Sequence, residues 1–139
     1  MRVEPYLNFD GRCDEAIEFY KSAVGAKVEM LMRFKDAPPA PANAECKPTP
    51  GTENKVMHCS LTVGDSRVMC TDGQNQGKET FTGISLSLTL STDAEAQRAF
   101  AALGAGGAVM MPLGKTFFSS SFGMLKDKFG VVWMVIVMK

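Results

Sequence analysis

The sequence predicts an α+β fold built from two copies of one β-α-β-β-β module. The first observation is an internal repeat, because Asp14 to Met30 (DEAIEFYKSAVGAKVEM) resembles Ala94 to Met111 (AEAQRAFAALGAGGAVMM). The second is that a segment of alternating apolar and polar residues precedes each helix, at Val3 to Phe9 and Ile84 to Leu90, as in strands with one packed and one open face. Since one helix leaves a face of a four-stranded sheet uncovered, we expect the two modules to pair.

The first module is predicted over residues 1–72 and starts with the strand Val3 to Phe9. Its helix extends from about Cys13 to Ala23, because apolar residues recur there at helical spacing. Gly25 stands at the usual helix end. Three further strands complete the module: Lys27 to Phe34, Val56 to Val63 and Arg67 to Thr71.

The polar stretch DGQNQGKET joins the modules, so the linker is predicted at residues 73–80 and the second module at 81–139. The second helix begins near Thr92 or Asp93, which are both good N-caps. Three strands follow this helix: Ala108 to Pro112, Ser120 to Leu125 and Val131 to Met138.

The composition argues against several classes of partner. Fifteen basic and fifteen acidic residues cancel, so no overall field attracts nucleic acid or anionic lipid. The longest apolar run, Val131 to Met138, is too short to span a bilayer, and the N-terminus lacks the apolar core of a signal peptide. We therefore expect no nucleic-acid or membrane partner and a cytoplasmic location.

The cysteines show no Cys-x-x-Cys spacing, and a chain with this apolar content needs no disulfide framework. Cys13 stands at the predicted start of the first helix, where the helix dipole lowers the pKa of a thiol, but Asp14 and Glu15 oppose that effect. A catalytic cysteine is therefore not expected. The four cysteines are Cys13, Cys46, Cys59 and Cys70.

Four segments carry a resemblance to a known family: PYLNFDGRCDEAIEFYKSAVGA, MHCSLTVGDSRVMCTD, GISLSLTL and FGMLKDKFGVVWMV. With the paired modules, they resemble the vicinal oxygen chelate superfamily, which includes glyoxalase I, bleomycin-resistance proteins and extradiol dioxygenases, and more narrowly its PhnB-like branch. The resemblance implies a glyoxalase/bleomycin-resistance-like fold, in which the sheets form a cup with the helices outside. It also implies a homodimer, which exposed sheet edges favour.

A proline-rich segment interrupts the first module. Lys35 to Asn54 holds five of the seven prolines, which predicts neither strand nor helix. We expect a long loop that lies over the mouth of the cup or at an oligomer contact.

Metalloenzymes of the superfamily take ligands from the first and last strands of each module. The resemblance places these positions at Glu4, at Met69 or Cys70, at Ser85 and at Met134. Only Glu4 is a convincing ligand for a divalent cation, which requires several oxygen, nitrogen or thiolate donors. We therefore predict no cofactor and no standard metal site, with a weakly held divalent metal as the alternative.

His58 is the only histidine of the chain and lies in the strand KVMHCSLTVG. The residues of opposite parity along this strand are apolar, so His58 is expected to face the cup together with Ser60. Three interpretations stay open. His58 is a wall residue hydrogen-bonded to a hydroxyl, or it binds a ligand and acts as a general acid or base, or it joins Glu4 at a metal.

Strand parity also predicts which residues line the cup. On the first strand, Val3, Pro5, Leu7 and Phe9 are expected against the helix, which leaves the alternate residues for the cup. The aromatic residues suit a small-molecule site, with core packing as the alternative, and Arg33 is a guanidinium for an anionic ligand. The predicted ligand-binding residues are Glu4, Tyr6, Asn8, Arg33, Ser60, Ser85, Ser87, Phe117, Phe122 and Trp133.

These observations predict a small-molecule binding protein whose ligand lies in the cup near His58. The alternative is an enzyme of lyase, isomerase or transferase type, in which His58 is the acid or base and a divalent metal is weakly held. A purely structural role is less favoured, because the cup is predicted to be lined with polar groups.

Overall fold

The structure, a computed structural model, describes residues 1–38, 50–73, 77 and 80–138. The chain divides into two compact units, Met1–Glu79 and Thr80–Lys139, and the described part of each contains one α-helix and a four-stranded mixed sheet. Residues 39–49 of the predicted loop, most of the predicted linker, and Cys46 lie outside the described residues.

Unit 1 has the strand order β1-β4-β3-β2, with β1 parallel to β4 and the other neighbours antiparallel. The first strand is shorter than predicted, because the ladder begins after Pro5 and Val3 is 97% exposed instead of packed against the helix. A short 3₁₀ helix at Phe34–Asp36 occupies the start of the segment predicted to hold no helix. The elements are β1 (Tyr6–Asn8), α1 (Cys13–Val24), β2 (Lys27–Arg33), β3 (Val56–Val63) and β4 (Ser66–Thr71).

Helix α1 is capped at both ends, by the predicted Gly25 at its C-terminus and by the side chain of Asp72 at its N-terminus. Gly25 has a left-handed backbone conformation with φ 68°, and its amide donates to the carbonyl of Tyr20, which satisfies a carbonyl of the last turn. The carboxylate of Asp72, which follows β4, accepts from the backbone amides of Gly11 and Cys13 at 2.8 Å each. A side chain from the end of the sheet therefore serves as the cap that Arg12 does not provide.

Unit 2 repeats the order of unit 1, as β5-β8-β7-β6 with β5 parallel to β8. Thr92 caps its helix as predicted, since its hydroxyl accepts from the amide of Glu95 at 3.1 Å. The strand predicted to end at Pro112 continues to Gly114 through register shifts. The elements are β5 (Ser85–Thr89), α2 (Asp93–Gly104), β6 (Ala108–Gly114), β7 (Ser119–Lys126) and β8 (Val132–Met138).

Each sheet has one face toward its helix and one face away from it. In unit 1, Leu7, Cys59 and Cys70 are buried on the α1 side. In unit 2, Leu125 and Val135 are buried on the α2 side. We call the opposite side the helix-free face of each unit. No helix among the described residues is long and apolar enough to cross a membrane.

Candidate functional site

The site begins with the turn between β3 and β4. Gly64 and Asp65 form a two-residue hairpin loop in which Gly64 has φ 56°, a conformation that glycine adopts without strain. A two-residue loop sets the register of both strands. Ser60 therefore lies opposite Met69 and Thr62 lies opposite Arg67.

The parallel pairing of β1 with β4 completes a row across the sheet. Tyr6 lies opposite Met69, which lies opposite Ser60, which lies opposite Met30 on β2. Residues paired across a sheet share a face, so all four lie on the helix-free face of unit 1. His58 is two residues before Ser60 on β3 and has the same parity.

A chain of hydrogen bonds joins three of these residues. The Tyr6 hydroxyl lies 2.7 Å from Nδ1 of His58, and Nε2 of His58 lies 3.1 Å from the hydroxyl of Ser60. The two rings also meet edge to face, with centroids 5.4 Å apart. We call this the Tyr6–His58–Ser60 group.

The tautomer of His58 sets the direction of these hydrogen bonds, and the protonation of Tyr6 sets which directions are open to the phenol. Partial burial of the phenol raises the pKa of Tyr6 above its usual value, with smaller contributions from Cys70 and Cys13. The phenol therefore stays protonated at neutral pH and can donate to Nδ1 of a neutral imidazole. In that tautomer Nε2–H donates to Ser60, and a proton can move through a hydroxyl at either end of the ring.

The residues at the positions that the resemblance assigns to metal ligands do not fit a divalent cation. Met69 faces the helix-free side with a thioether, whereas Cys70 is fully buried on the α1 side. The hydroxyl of Ser85 is 3.8 Å from the sulfur of Met134 in unit 2. Glu4 precedes β1 and forms an ion pair with Arg2 at 3.2 Å. Among the described residues there is no group of three His, Cys, Asp or Glu side chains that could hold a metal ion.

The described cysteines are free and buried. A hydrogen bond with the Cys70 thiol, together with burial, raises the pKa of Cys13, and burial raises the pKa of Cys59 to about 12. The hydrogen bond and burial together therefore outweigh any lowering of the Cys13 pKa by the helix dipole. Cys13 and Cys59 are therefore protonated core residues at neutral pH.

Arg33, which was predicted to reach the cup, is engaged at the start of α1. Its guanidinium makes two hydrogen bonds of 2.9 Å to the carboxylate of Asp14 on α1 and one of 2.7 Å to the carbonyl of Asn54. Register shifts interrupt β2 between Val28 and Met30 and again between Met32 and Arg33, so alternation counted along the whole strand does not fix the face on which Arg33 lies. Arg33 joins β2 to the start of α1.

Trp133, another predicted ligand-binding residue, is buried in unit 2. Trp133 is 5% exposed, and its indole Nε1 donates to the carboxylate of Asp127 at 2.9 Å. It shares the α2 side with Val135 and lies opposite Leu86. The indole is therefore part of the core of unit 2, the alternative that was weighed for the aromatic residues.

Asn8 shares the parity of Tyr6, but its side chain is engaged locally. Its amide oxygen accepts from the backbone amide of Asp10 at 2.9 Å, in a turn where Asp10 has φ 51°. The side chain also packs so closely on Gly73 that a Cβ there would collide with it. Asn8 therefore stabilises the turn that leads from β1 into α1.

The other predicted ligand-binding residues belong to unit 2. Ser85 and Ser87 are exposed on its helix-free face, and Phe122 shares that face because it lies opposite Ile136. Phe122 stacks edge to face on Phe118 with ring centroids 5.2 Å apart. Phe117 is 91% exposed and stacks on the same Phe118.

Sequence reasoning missed Arg67, which shares the helix-free face with Ser60 and Tyr6. The two-residue Gly-Asp loop was the signal that could have found it. Counting outward from that loop places residue 67 opposite residue 62, and therefore on the face of His58.

Comparisons with known proteins agree with this architecture. Residues 1–136 match the family model described as 3-demethylubiquinone-9 3-methyltransferase. Protein YjdN of Escherichia coli (strain K12) is 33% identical over 142 residues, which cover 100% of this chain and 97% of that protein.

Two solved structures are similar over nearly the whole chain. Protein PA1353 from Pseudomonas aeruginosa is 40% identical with a TM-score of 0.83, covering 99% of this chain and 98% of that one. A putative 3-demethylubiquinone-9 3-methyltransferase, PhnB protein, from Bacillus cereus is 32% identical with a TM-score of 0.79 and covers 99% of both chains.

A more distant neighbour bears on the fold alone. The glyoxylase/bleomycin resistance protein/dioxygenase domain from Frankia sp. EAN1pec is 12% identical with a TM-score of 0.67, covering 100% of this chain and 98% of that one. The predicted α+β fold of glyoxalase/bleomycin-resistance type, with its repeated β-α-β-β-β order, is confirmed.

Proposed function

The chain belongs to the 3-demethylubiquinone-9 3-methyltransferase family, the PhnB-like branch of the glyoxalase/bleomycin-resistance fold, and we propose that it binds a small molecule on the helix-free face of unit 1. The observation that carries this proposal is the Tyr6–His58–Ser60 group. Three polar side chains from two strands, Tyr6 on β1 and His58 and Ser60 on β3, converge there on the side of the sheet that does not pack on α1.

The surroundings of the group support ligand binding. Small-molecule sites combine an apolar surface with a few polar groups that fix orientation. Met30 and Met69 lie in the same row as Tyr6 and Ser60, and Met30 is 46% exposed. Methionine side chains adapt their shape to a bound molecule. The row therefore offers apolar contact beside directional hydrogen bonds.

The alternative is an enzyme of lyase, isomerase or transferase type that uses His58 as acid or base. Both ring nitrogens of His58 contact a hydroxyl. A proton taken from a substrate would therefore reach the imidazole through Tyr6 or Ser60, which lie at the two ends of the chain. No step of this alternative requires a metal.

Methyl transfer, which the family description names, has less support in these residues. A nucleotide-type methyl donor suits a glycine-rich turn between a strand and a helix. The connection from β1 to α1 contains one glycine, Gly11, whose amide donates to Asp72, and the connection from β5 to α2 contains none. Ligand binding is therefore the function that we propose.

The proposal is tested by titrating the ¹⁵N-labelled protein with a library of small-molecule fragments. We expect at least one fragment to shift the amide resonances of Tyr6, His58 and Ser60 in a saturable way. His58→Ala should weaken that fragment about fivefold, since one hydrogen bond in a site contributes about 1 kcal/mol. Gln97→Ala, on the exposed side of α2, is the control and should bind normally.

Two results would contradict this proposal. One is that every saturable shift lies away from the Tyr6–His58–Ser60 group. The other is that His58→Ala binds the fragments as tightly as the wild type. If a bound molecule is also converted, a catalytic His58 predicts a loss in kcat of at least about a hundredfold in His58→Ala, whereas a binding role predicts a rise in KM at unchanged kcat.

A further inference from the structure

We propose that the molecule bound on the helix-free face of unit 1 is an anion whose charged group is held by Arg67. This inference rests on the proposed function, because it concerns the same face, and it adds the chemical class of the ligand. The class is a small carboxylate or phosphate monoester with an apolar body and a hydrogen-bonding group at its other end.

The position of Arg67 follows from the register of the sheet. Arg67 lies opposite Thr62, on the face shared by Ser60 and Tyr6. It is two residues before Met69 on β4, so its Cα lies about 7 Å from the row that contains Tyr6. A ligand of a few bonds' length can therefore contact Arg67 and the Tyr6–His58–Ser60 group at once.

Arg67 combines a partly exposed side chain with one buried nitrogen that lacks a hydrogen-bond partner. One terminal nitrogen lies 3.1 Å from the carboxylate of Glu29, in a pair whose side chains are 33% and 38% exposed. The Nε atom is buried and has no hydrogen-bond partner among the described residues. A buried donor without a partner is unfavourable. When an anion displaces Glu29 and the guanidinium turns toward it, Nε and a terminal nitrogen can bind that anion together.

Two charged residues near Arg67 affect the binding of an anion: Lys27 attracts it, and Glu29 competes with it for Arg67. Lys27 lies opposite Thr62 on the other side of β3, which places a second cation in the row of Arg67. Glu29 is the carboxylate that pairs with Arg67, whereas Glu4 pairs with Arg2. An incoming anion therefore replaces Glu29 at Arg67, and Lys27 adds attraction.

The residues between Arg67 and the imidazole of His58 are apolar, which is why we propose a ligand with an apolar body. Met69 and Met30 lie between Arg67 and the imidazole along the sheet. Thioether and methylene groups there match an alkyl or aryl segment and offer no charge. The order along the face is cation, apolar surface, hydrogen-bonding group.

The test uses three probes that share a six-carbon chain: hexanoate, hexyl phosphate and 1-hexanol. Their binding is followed by two-dimensional NMR of amide groups and of the arginine Nε–H groups. We expect hexanoate, hexyl phosphate or both to shift the Nε–H resonance of Arg67 and the amide of Tyr6, and to bind at least about tenfold more tightly than the alcohol. The ratio of the affinities for hexanoate and hexyl phosphate distinguishes a carboxylate site from a phosphate site.

Three variants sharpen the measurement. Arg67→Gln should weaken the preferred anion about tenfold or more and leave 1-hexanol unchanged. Glu29→Gln should strengthen it about two- to fivefold, because the competing carboxylate is removed. Arg98→Gln removes the same charge from the exposed side of α2 in unit 2 and should have no effect.

The outcomes separate this inference from the proposed function. If 1-hexanol binds beside Tyr6 as tightly as both anions, or if Arg67→Gln or Glu29→Gln leaves anion affinity unchanged, the assignment of Arg67 is overturned and ligand binding stands. An equal loss in Arg98→Gln also overturns it, because the effect is then one of net charge. If none of the probes and none of the library fragments shifts the helix-free face, both proposals are overturned.

Discussion

At the scale of single residues, the structure separates arginines and aromatics that the sequence treats alike. Arg33 and Arg67 both lie on strands of unit 1, but Arg33 binds Asp14 on the helix side and Arg67 lies on the helix-free face. Tyr6 contacts His58, whereas Trp133 is bound to Asp127 in the core. The role of each side chain therefore depends on local register, which residue type does not specify.

The ion pair of Arg33 with Asp14 predicts a pH-dependent contribution to stability. Hydrogen bonds from Arg33 lower the pKa of Asp14 from its ordinary value of 3.8. A carboxylate whose folded-state pKa is lowered stabilises the protein above its unfolded pKa, and the contribution is lost as the pH falls through the folded value. Because Asp14 is half exposed, we expect Arg33→Gln to cost only about 1 kcal/mol at pH 7.

The check is urea unfolding of wild type and Arg33→Gln at pH 7 and at progressively lower pH. The difference in unfolding free energy should shrink as the pH falls below 3.8. The double variant with Asp14→Asn isolates the pair, since the two single effects should not add. A difference that persists unchanged in acid would contradict the assignment of the effect to Asp14.

At the scale of elements, one buried carboxylate connects three parts of unit 1. Asp72 is fully buried and accepts from the amides of Gly11, Cys13 and Val56 at 2.8–2.9 Å. It thereby caps α1, closes the β1–α1 turn and joins both to the start of β3. Tyr6 lies on β1, and His58 and Ser60 lie on β3. By holding the ends of these two strands in place, Asp72 supports the hydrogen bonds of the Tyr6–His58–Ser60 group.

Replacement of this carboxylate should destabilise the whole unit. We expect Asp72→Asn to lower the free energy of unfolding by about 2–3 kcal/mol, because an amide nitrogen then faces a backbone N–H donor and a charge-assisted hydrogen bond is lost. Chemical denaturation with detection by circular dichroism measures the change. Asp65→Asn, in the exposed β3–β4 loop, is the matched control and should change stability by less than about 0.5 kcal/mol.

At the scale of the whole molecule, the edge strands support the proposed homodimer. β2 and β6 are each one of the two outer strands of their sheets, and both expose large apolar side chains, including Val28, Met30, Val109 and Met110. Unpaired strand edges with apolar side chains favour association with another chain. A second copy of this chain is the partner we propose.

Light scattering after size-exclusion chromatography should give about twice the monomer mass of 15.0 kDa. We expect Val28→Lys or Met110→Lys to shift the protein toward the monomer, because a lysine at a strand edge opposes pairing by charge. Glu18→Lys, on the exposed side of α1, should leave the mass unchanged. A wild-type protein that stays monomeric at high micromolar concentration would contradict the homodimer.

The sequence by itself determined the repeated β-α-β-β-β order, the helix end at Gly25, the N-cap at Thr92 and the parity that brings His58 to the face of Ser60. These features depend on interactions within a few residues, namely capping, backbone conformation and alternation along a strand. Periodicity and capping act locally, so they can be interpreted without the fold.

Only the tertiary structure decided the partners of these residues. The register shift at Arg33, the capture of Trp133 by Asp127 and the row that joins Tyr6, Met69 and Ser60 all depend on pairing between strands that are distant in sequence. A slip of one residue in such a pairing moves every side chain to the other face. The sequence therefore determined that His58 lies on a polar face, and the pairing of strands decided that its contacts there are Tyr6 and Ser60.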